Sequence, residues 1–532
     1  MNGSGRGRVD IPPQPGPSVQ ETSFATASDS NLSVLPPSPI RDGQPGTYGA
    51  TTPRLPSPQP SNPKPRDAPA RALAPDLLRG LLMVLMAADH TALGLHSWPH
   101  ETAIGGEAPA SPVTEWNRPL AIVLRLLSHL CAPGFTFLLG MGVVYFGRSR
   151  SALGWTSGRM ARHFLVRAVI LTLVTMAMGF VFTGGEVWFL NVVLFALAVD
   201  YLIAGLVWMA ISGTETRVAL GLLKTGIVPE RDSDDPSEPL LGRRRRDDIP
   251  PDRTIMRAAD IAWHANNALL LALALVTIWW NIWLRPGHGR CAADDATSDT
   301  TSSIWWRIWF YDVVTPHITS KFPPMAWLSF ALLGLLYGRA VLARTWATRT
   351  VNLANAAVGL LFAAVFVMTR LLHFGNLSEG CLHMPEHVAH PDANQYLTSP
   401  AAFFYLIKYP PDVAFWAFSM SANFLLLAVL GSVPRDMAVR VLHPLIVYGT
   451  SALFFYVVHI VLYVGLGSVL VEIWGHEVPY TTPMNPGPGR GLDQAWVFFV
   501  TWAVGLVLMY PLCRWYGSFK RGKGVDSIWR FF

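Results

Sequence analysis

The sequence predicts an all-α polytopic membrane protein with about ten transmembrane helices and a disordered N-terminal tail. Three observations carry that prediction. Hydrophobic residues fill 51% of the 532 positions and charged residues only 14%, where a soluble domain is about a quarter charged. The apolar residues gather into blocks of about 20, the length a helix needs to cross a hydrocarbon core, and a helix in lipid satisfies its own backbone. Lysine and arginine crowd alternate connections between the blocks, the pattern that orients membrane helices. The net charge of +6 therefore belongs to basic loops. No nucleic-acid-binding motif is present, and no nucleic-acid partner is expected.

Taken in order, residues 1–70 hold Pro- and Ser-rich runs such as "TTPRLPSPQPSNPKPRDAPA". They have too few large apolar side chains to bury a core, so a disordered cytosolic tail is expected. No apolar segment precedes Leu77, so the first span is expected to anchor the chain in place of a cleaved signal peptide. Spans are expected at roughly 77–97, 120–146, 163–183, 189–210, 263–284, 324–342, 352–374, 412–432, 443–470 and 494–514. They make a membrane domain over 71–525, interrupted by a flexible charged cytosolic insertion at 212–260 and followed by a short tail, 526–532.

The loop after span two carries Arg148, Arg150, Arg159 and Arg162. Later even-numbered loops carry Arg243–Arg246, Arg344 with Arg349, and Arg435 with Arg440, and the C-terminal "RWYGSFKRGKG" is basic too. Both termini are therefore expected in the cytosol, in an endomembrane (vacuole- or lysosome-like, or secretory) or in the plasma membrane. "NLS" at Asn376–Ser378 is an acceptor for N-glycosylation in the seventh, non-cytosolic loop. Cys291 and Cys381 also fall in non-cytosolic loops, where a disulfide is open to them. Cys131 and Cys513 lie in spans and read as core residues.

Ionisable residues stand where lipid makes them costly, and such groups turn inward toward one another or toward water. "LLRGLLMVLMAADHT" places Arg79 and His90 eleven residues apart, hence on one helix face and roughly 16 Å apart along the axis. Asp89 points about 100° away from His90 and is a less natural partner for it than a residue on another helix. Asp76 can pair with Arg79. In span two, Arg125 and His129 are four apart and share a face. Asp200 sits mid-way through span four, Arg370 near the end of span seven and His459 near the middle of span nine. Singly, each His also reads as a helix–helix hydrogen-bond partner, and Arg79 and Arg370 as side chains snorkelling to headgroups. Their convergence at similar depth points to a shared site. "HMPEHVAH" at 383–390 lacks metal-site spacing and reads as a solvated loop, so no metal is expected.

"DLLRGLLMVLMAADHT", "LLSHLCAPGFTFLLG", "WLSFALLGLLYGRA", "YLIKYPPDVAF", "PLIVYGTSALFFYVVHI" and "YPLCRWYGSFKRGK" together resemble the heparan-α-glucosaminide N-acetyltransferase catalytic-domain family, especially its bacterial-type branch. The likeness covers roughly 71–525 apart from the charged insertion. The spacing of Arg79 and His90 is also similar to that of membrane O-acyltransferases of the acyltransferase-3 type, and the two groups share a ten-helix core. The resemblance implies transfer of an acetyl, or another acyl, group from cytosolic acyl-CoA to a lumenal or external acceptor such as a sugar. On that reading Arg79 and Arg125 help to hold the CoA donor. His90 or His129, with Asp89 nearby, supplies the base. The family's namesake has Asn in place of His90 and a catalytic His between spans one and two, where this chain offers His96 and His100. Direct transfer and an acyl-histidine intermediate are both open.

Two other function classes compete. A proton-coupled transporter would use His90, His129, Asp200 and His459 as relay groups, and a membrane scaffold would use none of them. The partners expected are membrane lipids and a small-molecule or glycan acceptor, with a homodimer as the alternative to a monomer.

Overall fold

The computed structural model describes residues 73–104, 106–225, 253–291, 303–481 and 489–524, with Ser527 and Trp529. The expected N-terminal tail, the middle of the charged insertion with Arg243–Arg246, and most of the C-terminal tail lie outside the described residues. Ten helices among the described residues are long and apolar enough to cross a membrane. The chain is a multi-pass membrane protein.

In chain order the helices are α1 (Ala74–Leu95), α2 (Pro119–Ser128), α3 (Cys131–Ala152), α4 (Ser157–Phe182), α5 (Leu194–Lys224), α6 (Arg253–Trp283), the short α7 (Ile304–Phe310) and α8 (Pro324–Ala343). There follow α9 (Thr348–Leu372), two single turns α10 (Pro385–Ala389) and α11 (Pro400–Phe403), and α12 (Val413–Ser432). The chain closes with α13 (Arg435–Arg440), α14 (His443–Thr450), α15 (Ala452–Trp474) and α16 (Ala495–Arg521). The stretch expected to be a flexible insertion is helical at both flanks, because α5 runs on to Lys224 and α6 starts at Arg253. An apolar window ends with the bilayer, but a helix continues into water until something stops it, and no proline stands in either flank.

The second span breaks between α2 and α3, at His129 and Leu130. Pro133 explains the place: it has no N–H for the carbonyl of residue 129 and its ring crowds that carbonyl, whereas in the first turn of α3 it is tolerated. Helix α1 is the inner element, packed against α14 and α15 and touching α3, α12 and α16. Glycines allow the closest approaches. A Cβ on Gly467 of α15 would run into the backbone of Gly94 in α1, and one on Gly80 into that of Leu445. Small residues let helix backbones meet where lipid offers no hydrophobic drive for association. Helix α9 is peripheral, with only 17% of its apolar window buried, so its side chains are largely left for lipid.

The connections at the C-terminal end of α1 fold into a cap. Strands β1 (Phe189–Asn191), β2 (Val313–Val314) and β3 (Ile318–Ser320) form a small sheet in the order β1-β3-β2, with Phe189 opposite Ile318 and Val313 opposite Ser320. Strands β4 (His476–Val478) and β5 (Gly489–Gly491) form a hairpin, and the Leu492 N–H donates to the Leu95 carbonyl. Cys291 and Cys381 are joined in a disulfide, so that open alternative resolves in favour of the bridge. The loop between α1 and α2 pairs with the segment after Cys381 through Val113 and Leu382.

Candidate functional site

Helix α1 offers Asp89 and His90 in succession, and successive helical residues face about 100° apart. Each therefore meets a different neighbour. Asp89 faces Arg125 of α2, whose Nη1 lies 3.2 and 3.3 Å from the two carboxylate oxygens. Arg125 is the hub of a buried cluster. Its Nε and Nη2 donate to the two oxygens of Glu107 at 2.8 and 2.6 Å. Nη2 also reaches the Tyr409 hydroxyl at 3.3 Å, and Nη1 the Nε2 of His100 at 2.9 Å. Glu107 further accepts from the backbone N–H and hydroxyl of Thr102 and meets His129 Nε2 at 3.1 Å. Burial pushes the Glu107 carboxyl up, but the Arg125 charge and the hydrogen bonds from Arg125 and His129 outweigh it and hold Glu107 well below the usual carboxylate range. Burial likewise lowers His100 to about 4, with Arg125 adding to the effect against the opposing Asp89 charge. His100 is therefore neutral near pH 7, and its Nε2 accepts from the guanidinium. A cation buried this deeply is stable only when hydrogen-bonded and matched by countercharge, and Arg125 has both.

His90 turns the other way, toward α15. His459 Nδ1 lies 2.9 Å from the Phe455 carbonyl, which can only accept, so Nδ1 carries the proton. In neutral His459 the other nitrogen, Nε2, is then a lone pair, and it lies 2.7 Å from His90 Nδ1. His90 must donate from Nδ1, and its own Nε2 is left bare. One backbone carbonyl thus sets the tautomer of two rings.

The bare nitrogen belongs to a ring that lines two cavities. The first, of about 60 Å³, is where the polar side chains gather: Asp89, His90, His100, Ser128, Lys408 and Tyr409 stand in a wall that Met86, Phe135, Val193 and Phe322 otherwise make apolar. It has room for a few waters. Lys408 is 6% exposed, its Nζ lies over the rings of Phe322 and Tyr409, and no carboxylate is within ion-pair distance of it among the described residues. Phe135 and Tyr456 separate this cavity from a larger one of about 300 Å³ toward the N-terminal end of α1, and both residues line each. Arg79, Arg167 and Lys520 stand in the wall of the larger cavity. Arg79 is also bonded to Asp76 at 3.0 Å, as the sequence predicts. Three basic side chains therefore stand on one side of Phe135 and Tyr456, and the His90 ring on the other.

The other expected site residues fall differently. His129 is fully buried against Glu107, its Nδ1 has no partner, and it lines none of the cavities above. The helix break at Pro133 turns it into the protein, against Glu107 and away from these cavities. Arg125 spends its donors inside the cluster and has none left for a CoA phosphate. Asp200 does not join the group: both oxygens are buried and without a hydrogen-bond partner among the described residues. Arg370 neither snorkels nor joins; it is fully buried, donating to Asn376 Oδ1 at 2.9 Å and to the Tyr405 carbonyl at 2.7 Å. Asn376 is 3% exposed and its Nδ2 donates to Thr369 and Glu379, so the folded chain has no room for a glycan there. His96 is the left-handed C-cap of α1, away from the polar cavity. The "HMPEHVAH" segment is not simply solvated, because His387 is 8% exposed and its Nε2 meets Gln395 and Thr398.

Glu107 and Lys408 were not singled out from the sequence. Glu107 stands in "GGEAPA", which reads as an ordinary loop. Lys408 stands in "YLIKYPP", where only its place between apolar and aromatic neighbours hints at burial. No protein-family model matches this chain, and comparison with curated proteins gives no match.

Proposed function

We propose that the protein is an integral-membrane acyltransferase that takes an acyl group from a CoA thioester at the basic end and passes it to a hydroxyl or amine acceptor in the polar cavity. The observation that carries this reading is the bare Nε2 of His90, tautomer-locked through His459 and lining the cavity that Asp89, His100 and Lys408 also enclose. The donor's phosphates match Arg79, Arg167 and Lys520, and its arm reaches inward past Tyr456. The basic end then faces the cytosol and the disulfide end an oxidising compartment. The motif resemblance agrees with this assignment.

The step is general-base acyl transfer. The acceptor oxygen or nitrogen attacks the thioester carbonyl as its proton passes to His90 Nε2. The new bond to carbon forms, the carbon–sulfur bond breaks, and the proton returns from His90 to the departing thiolate. Lys408 supplies positive charge for the oxyanion that forms between the two events. The transporter reading receives less support, because His129 is sequestered with Glu107 and Asp200 stands apart, so the four relay groups do not make one hydrogen-bonded chain.

The test is a thermal-shift titration with acetyl-CoA, followed by release of CoA thiol in the presence of amino-sugar and alcohol acceptors. Acetyl-CoA is expected to stabilise the wild type and to act more weakly on Arg79→Ala. His90→Ala should bind the donor yet lose transfer by roughly 10²–10⁴-fold, and His459→Phe should fall with it. A wild type that millimolar acetyl-CoA leaves unstabilised would sink the reading.

A further inference from the structure

The second cavity that His90 lines has none of the charged side chains of the first. It lies between α4 and α15 with α1 as its floor, has a volume of about 90 Å³, and is walled by Leu93, Met178, Phe182, Ile460 and Val464. The one polar group that α4 contributes, the Thr175 hydroxyl, is already spent on the Leu171 carbonyl at 3.0 Å. His90 and Tyr456 belong both to this crevice and to the polar cavity, while Leu194 and Tyr456 belong both to the crevice and to the basic cavity. All three cavities therefore meet at Tyr456, and the His90 ring lines two of them.

We propose that the donor's acyl group carries a hydrocarbon chain and that this chain lies in the apolar crevice between α4 and α15. The inference rests on the acyltransferase reading and specifies its substrate. A thioester beside His90 has its sulfur toward the basic cavity, which leaves two directions for the alkyl side. The polar cavity is closed to it, since a chain there would strip water from Asp89, His100 and Lys408 without replacing their hydrogen bonds. Beyond His90, Tyr456 and the spent Thr175 hydroxyl, the crevice offers apolar contact, and it runs on directly from the ring. The polar cavity then stays free for the acceptor's hydroxyl or amine. An acetyl group alone would leave the crevice walls without a ligand.

The experiment measures affinity of the full-length protein in lipid nanodiscs for acetyl-, butyryl-, hexanoyl- and octanoyl-CoA. Affinity of the wild type is expected to rise roughly fourfold for each methylene buried, until the crevice is full. Ile460→Trp, which fills the crevice from the α15 side, should bring the octanoyl-to-acetyl affinity ratio close to one. Met178→Ala, which widens it, should move the preferred chain toward greater length and guards against misfolding of the tryptophan variant. A wild-type ratio near one, or a ratio that both variants leave unchanged, overturns the inference while the acyltransferase reading stands. Failure of every thioester to bind overturns both.

Discussion

At the scale of single residues the site depends on charges that neutralise one another away from water. Arg125 is 2% exposed and Glu107 fully buried, so removing Glu107 leaves Arg125 with Asp89 as its remaining carboxylate partner, and removing Arg125 leaves Glu107 without its guanidinium. Glu107→Gln, which loses one of the two countercharges of Arg125, should therefore cost about 1–3 kcal/mol, read as a lowered unfolding midpoint in detergent. His100 adds a pH dependence. Its folded value of about 4 lies below the ordinary 6.5, so between these values the unfolded chain binds a proton that the folded chain does not. The stability it confers is whole above pH 6.5 and is lost as pH falls toward 4. His100→Gln, which can still accept from Arg125, should flatten the fall in midpoint over that window; an unchanged slope would assign the acid sensitivity elsewhere. Part of this site is legible in the sequence. Charges in an apolar run announce themselves, so Asp89, His90, Arg125 and His459 stand out. Glu107 and Lys408 do not, because a charge in a loop is ordinary until the loop folds inward.

At the scale of elements, what matters is how closely α1 can approach its neighbours. His90 meets His459 only because α1 and α15 touch backbone to backbone at Gly94 and Gly467. Gly94→Val should force these helices apart, cost about 1–3 kcal/mol or more through overpacking and break the His90–His459 contact one helical turn away. Gly465→Val is the control on the same helix, since a Cβ there meets nothing within 4 Å, and its midpoint should stay within about 0.5 kcal/mol of wild type. Equal losses in the two variants would show that glycine as such, and not this contact, is what counts. The break before α3 is the second decisive element, because it separates the fates of Arg125 and His129 from those of an unbroken helix.

At the scale of the whole molecule, the cap and the helices are interdependent. The loop bearing Glu107 is held by pairing between Val113 and Leu382, next to the Cys291–Cys381 disulfide, which spans 90 residues of chain. Arg370 and Asn376 fasten the same region from beneath. Reducing the bridge, or Cys381→Ser, should cost about 2–5 kcal/mol, seen as a reductant-dependent drop in unfolding midpoint that the serine variant no longer shows. The acid-sensitive cluster should loosen with it, since Glu107 reaches Arg125 only from a folded cap.

Length and polarity of the apolar runs were enough to establish ten helices and their order, because a bilayer rewards one pattern and the backbone has one way to satisfy itself there. The same runs marked which side chains were out of place. Partnership was decided elsewhere. Whether Asp89 would meet His90 or Arg125, whether Arg370 would serve a site or a loop, and whether His129 would face a cavity depended on helix rotation, on one proline break and on loops returning into the bundle. These are contacts between residues far apart in the chain, and no local period encodes them.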